Sequence, residues 1–84
     1  MYTKTKKMLC DAMIAKYTAL IKDAEARLHI YMHAAVGIGE HPQITEEIDN
    51  LIGQLVEAQD RLEAAYKLRQ DADYIETDIN NNTI

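Results

Sequence analysis

Apolar residues recur at helical spacing along two long stretches, and the two stretches mirror one another. Over residues 9–35 the stripe Leu9, Met13, Tyr17, Leu20, Ala24, Leu28, Tyr31, Ala35 advances by three or four positions, close to an eleven-residue repeat, which predicts a nearly straight helix. Over residues 44–65 the stripe Ile44, Ile48, Leu51, Leu55, Ala58, Leu62, Ala65 keeps a strict alternation of four and three, a heptad seam. Ala35 with Ile44, Tyr31 with Ile48, Leu28 with Leu51, Ala24 with Leu55 and Tyr17 with Leu62 all have residue numbers that add to 79. Antiparallel helices of equal rise require such a constant, and its midpoint falls at Gly39 and Glu40, inside the one cluster of glycine and proline.

The predicted architecture is all-α, a single domain over residues 1–84. A helix from about Thr5 to Val36, a turn over 37–42 and a helix over about 43–71 form a long antiparallel hairpin, followed by a C-terminal tail over 72–84. Gly37 is placed to cap the first helix in the left-handed conformation, and Pro42 suits the first turn of the second, with Glu46, Glu47 and Asp49 following with the sign its dipole favours. Small residues are matched to large ones across the seam: Ala24 with Leu55, Ala58 with Leu20 and Ile21, Ala65 with Met13.

The first helix has a second face that a hairpin cannot cover. Ala12, Ala15, Ala19, Ala26 and Ile30 lie opposite its main stripe, while Ile14, Ile21, Met32 and Val36 flank that stripe. A helix apolar or small nearly all round is normally buried all round. The second helix has polar or small outer positions, Glu46, Asn50, Gly53, Asp60 and Lys67. Assembly into an oligomeric helical bundle is therefore expected, a homo-oligomer of two or more subunits with the first helix at its centre.

Length points the same way, because 84 residues arranged as two helices have no interior of their own. The lone Cys10 offers no internal disulfide and suits a reducing compartment. The longest run without charge, Leu28 to Gly39, is too short for a membrane span, and no signal cleavage pattern follows Lys4, Lys6 and Lys7, so a cytoplasmic protein is expected. Net charge is −5 and unevenly spread. The first half is mildly basic and the second strongly acidic, so a hairpin sets Lys6 and Lys7 beside Asp71 and Asp73. That balance disfavours nucleic acid as a partner.

Candidate chemistry is sparse. Glu25, His29 and His33 follow one flank of the first helix, and a histidine pair at i and i+4 can chelate a transition metal, yet no Glu-x-x-His motif supports a di-metal bundle. The glycines before Pro42 lack any nucleotide-loop pattern, and no nucleophile, base and orienting group fall together. The expectation is a non-enzymatic protein without a resident cofactor or metal. A planar anion would be held if Arg27, Tyr31 and His33 of one subunit converged on Tyr2, Lys4, Lys6 and Lys7 of another. The acidic run from Glu46 to Asp60 could instead face a basic host protein.

The turn Val36-Gly37-Ile38-Gly39-Glu40-His41-Pro42 and the run Glu57-Ala58-Gln59-Asp60-Arg61-Leu62 resemble short helical-hairpin proteins encoded by tailed phages, over residues 36–65. The resemblance brings no catalytic residues with it. What it implies is a viral context in the host cytoplasm: host takeover or counter-defence, by blocking a host protein or by sequestering a nucleotide-type ligand between subunits. The alternative is a structural bundle that needs no ligand.

Overall fold

A computed structural model of the chain describes residues 2–38 and 42–82, with side chains described over 3–33 and 43–72. Helix α1 spans Tyr2–Ile38 and helix α2 spans Pro42–Asn82, and the two pack against each other as an all-helical hairpin. The result is a rod of 69 × 14 × 13 Å, about one helix long and two helices across. The connection, 39–41, lies outside the described residues.

Burial shows which stripe of each helix faces the other. On α2 the buried or half-buried positions are Ile44, Ile48, Leu51, Leu55, Ala58, Leu62, Ala65, Arg69 and Ala72, the expected heptad carried one repeat further. On α1 they are Cys10, Ile14, Tyr17, Ile21, Ala24, Leu28 and Tyr31, with Lys7 and Thr3 continuing the same spacing and Lys6 beside them. This second list corrects the expected stripe. Leu9 is 63% exposed and Leu20 46%, so the interior positions are their neighbours Cys10 and Ile21. The physical reason is periodic matching. Two helices stay in continuous contact only if both repeat with the same period, and the strict heptad of α2 selects the heptad of α1. The buried positions fall into layers that keep 79: Leu28 with Leu51, Ala24 with Leu55, Ile21 with Ala58, Tyr17 with Leu62, Ile14 with Ala65 and Cys10 with Arg69. Arg69 of α2 bonds Asp11 of α1, a sum of 80 that lies one residue from the expected constant.

Among the described residues four of the five buried ones are alanines, Ala24, Ala58, Ala65 and Ala72, the fifth being Leu51. An alanine is shielded completely because a larger residue stands level with it on the other helix, and the small side chain lets the backbones approach. Near the open end the register is tied by a polar contact. Arg69, at a seam position of α2, donates from Nε to Asp11 Oδ1 of α1 at 2.6 Å. This contact has the opposite polarity to the expected match of Lys6 and Lys7 with Asp71 and Asp73, pairing an acid from α1 with a base from α2. Asp73 lies outside the described side chains.

Three boundaries differ from expectation. Both α1 ends extend beyond 5–36, and Gly37 is helical, so it does not cap the helix by itself. The second helix runs past Asp71 to Asn82, so the tail expected over 72–84 is helical through 82. Ala72 supplies one reason, since the seam persists there and keeps the helix docked. Pro42 opens α2 as expected, but the carboxylates begin one turn later, where the dipole acts weakly.

Gly53 sits on the outer face of α2, and a Cβ built there meets nothing within 4 Å. Replacing it with alanine should raise stability by about 0.5–1 kcal/mol, because mid-helix glycine carries only its entropic cost, and urea unfolding would show a higher midpoint with unchanged slope. Ala58→Glu should do the reverse. A carboxylate forced against the Ile21 layer has no partner, costs on the order of 3 kcal/mol, and should depress the melting midpoint sharply. An unchanged midpoint would rule out this register.

Candidate functional site

Among the described residues no polar or charged side chain is buried, and no buried polar atom lacks a partner. The hairpin therefore holds no enclosed polar centre there, and its chemistry lies on its faces. Three faces can be distinguished.

The first is the expected ligand set. Lys4 is exposed, Lys6 and Lys7 are half buried near the start of α1, and Lys7 is not a free cation. Tyr2 lies outside the described side chains. Arg27 is twenty residues from Lys7, about 30 Å along the helix at 1.5 Å per residue. Its Nε donates to Asp23 Oδ1 at 3.2 Å. Tyr31 is half buried at a seam position about one turn beyond Arg27, and His33 is exposed nearly two turns beyond it. Within one chain these groups do not converge.

The second face is the histidine pair. His29 and His33 stack edge-on, with centroids 4.4 Å apart and planes at 81°, and their Nε2 atoms are 3.2 Å apart. For that contact to be a hydrogen bond one ring donates and the other accepts. Two nitrogens so placed would subtend about 100° at an ion held at ~2.0–2.1 Å, close to a tetrahedral angle. The geometry suits bidentate chelation, but among the described residues no group of three or more His, Cys, Asp or Glu comes together, so Glu25 does not complete the set. Zinc added to the protein should bind weakly and shift the imidazole resonances of both rings together, and His33→Ala should abolish that joint shift.

The third face is apolar. Exposed large side chains flank the seam on both helices: Met13, Leu20 and Leu68 on one side, Met32, Ile52 and Tyr66 on the other. On the first of these sides an open groove of about 270 Å³ is lined by Tyr17, Leu20, Asp23, Gln54, Glu57, Ala58 and Arg61, where Arg61 Nη2 donates to Glu57 Oε1 at 2.6 Å. Two ion pairs, Arg61 with Glu57 and Arg27 with Asp23, thus border a groove with an apolar floor. Sequence reasoning missed it because Leu20 and Met13 had been assigned to the interior.

Opposite the seam, Ala12, Ala15, Ala19, Ala26 and Ile30 are all exposed, as are Met8 and Leu9. On α2 the acidic residues Glu46, Glu47, Asp49, Glu57 and Asp60 are all exposed. No helix is long and apolar enough to cross a membrane among the described residues. Comparison of the chain with family models, curated proteins and solved structures gave no match in any of the three. The class defined here is that of the antiparallel two-helix hairpin, and function must be argued from its surfaces.

Proposed function

We propose that this chain acts without catalysis, as a helical hairpin that associates with copies of itself and, so assembled, binds another molecule. One observation carries the reading. Ten large apolar side chains, from Met13 at 37% to Ile30 at 64%, remain exposed among the described residues, against a fully buried set that is mostly alanine. An apolar surface so much larger than the interior is the mark of a chain whose core is completed by association.

The bound molecule follows from charge and context. The resemblance over residues 36–65 supports a phage factor directed at the host, which would block a host protein or hold a small anionic, nucleotide-type ligand in the host cytoplasm. The acidic outer face of α2 suits a basic protein surface. For the anionic ligand, the separation of Lys4 and Lys6 from Arg27 and His33 along α1 means that two subunits must supply the site. That same separation favours a second reading, a structural assembly with no ligand, in which these side chains simply meet water.

A native mass spectrum of freshly purified protein separates these readings. An oligomer with added mass is expected if a ligand is sequestered, and an oligomer of bare subunits if the partner is a protein or the role is structural. A monomer would overturn the proposal, as would turnover of a substrate in a separate assay.

A further inference from the structure

The most exposed large side chains of the hairpin are not scattered. Ile30 at 64%, Leu9 at 63% and Met8 at 62% all lie on the outer face of α1, turned away from α2. Heptad geometry puts Ala12, Ala19 and Ala26 along the centre of that face, with Met8, Ala15, Lys22 and His29 along one border and Leu9, Lys16, Asp23 and Ile30 along the other. The order of these residues has a symmetry. Ala12 and Ala26 are each seven positions from Ala19, Lys16 precedes it by three where Asp23 follows by four, and Leu9 precedes it by ten where Ile30 follows by eleven.

We infer that a second copy of the chain docks on this face antiparallel, α1 against α1, about a two-fold axis at Ala19. The inference rests on the self-association proposed above and specifies its surface and register. An isologous contact must be complementary to itself, which few helix faces are. Here a single axis brings Ala12 against the second copy's Ala26, and Ala19 against its own equivalent, so the backbones approach closely. The same axis sets Lys16 beside Asp23 of the other copy, twice, and Leu9 beside Ile30, twice. Lys16 makes no ion pair among the described residues, while Asp23 already accepts from Arg27 and retains capacity for a second donor. Charge complementarity and the two most exposed apolar residues thus select one register together. The four helices would lie in a row, α2, α1, α1, α2, with Thr5 of each copy level with His33 of the other.

The test uses the full chain carrying Cys10→Ala, so that any new thiol is alone. Ala19→Cys places two thiols at the axis and should give a disulfide-linked dimer on mild oxidation, whereas Gly53→Cys on the outer face of α2 should not. In parallel, K16E and D23K each set like charges across the axis and should weaken self-association by about tenfold or more, with helicity by circular dichroism retained. Mixing the two variants restores two opposite-charge contacts per pair, so hetero-association should recover wild-type affinity in sedimentation. If the wild type is oligomeric but Ala19→Cys fails to link, or the mixture gains nothing over its parents, this register is wrong while the association reading stands. A monomeric wild type would overturn both.

Discussion

Two helices in contact share only a line, and every other property of this hairpin follows from how little that line can bury. Each helix turns two positions in every seven toward its neighbour and leaves the rest to solvent. Along this seam the chain uses alanine at Ala24, Ala58, Ala65 and Ala72, which narrows the gap between backbones and makes the contact continuous. Narrowness has a consequence for energetics. Alanine contributes little apolar area, so the seam gains geometric fit at the expense of the hydrophobic term that normally stabilises a domain. The large side chains that would supply that term, Leu9, Ile30, Leu68 and Tyr66 among them, stand outside it.

Register is then a separate problem, because a seam of small residues slides easily. The Arg69 to Asp11 contact answers it near the open end of the hairpin. With side chains 39% and 55% exposed, the pair stays largely solvated and adds about a kcal/mol at most to stability. Its value lies in selectivity. A polar group at a seam position is tolerated in one alignment, where its partner is at hand, and penalised in alignments one heptad away. The ion pairs Arg27 with Asp23, Arg61 with Glu57 and Lys22 with Glu25 join residues of one helix and stiffen it without choosing a register.

The hairpin and its constant of 79 were legible in the sequence because α2 is amphipathic in the ordinary way, with Glu46, Asp60 and Lys67 marking its outside. The facing stripe of α1 was not. Leu9 and Cys10, Met13 and Ile14, and Leu20 and Ile21 are adjacent pairs in which both members are apolar, so spacing alone offers two stripes offset by one residue. A rule was available that resolves them: the partner's strict heptad must be matched position for position, which admits Cys10, Ile14 and Ile21 and excludes their neighbours. The extension of α2 through residues 72–82 was illegible for another reason. Asn80, Asn81 and Asn82 have low helix propensity, and propensity yields to a helix whose last docked position, Ala72, lies between two and three turns earlier. As for the site, Lys4, Lys6, Arg27 and His33 are legible as chemistry but not as a constellation, since a straight helix keeps apart what only a second chain can bring together.

Charge completes the division of labour between the helices. Helix α1 carries six Lys and Arg against three Asp and Glu, whereas α2 carries three against ten. In an assembly centred on α1, the helix of modest charge is shielded and both strongly acidic helices face outward. Acidic surfaces of neighbouring assemblies repel at distances up to a Debye length, about 8 Å at physiological ionic strength. Such repulsion opposes lateral growth through the remaining apolar flanks around Ile52 and Tyr66, where a neutral hairpin would aggregate. The same acidic outside narrows what can bind there. An acidic face of this kind disfavours polyanions such as nucleic acid and suits a basic surface, which is the electrostatic ground for the division of roles proposed above.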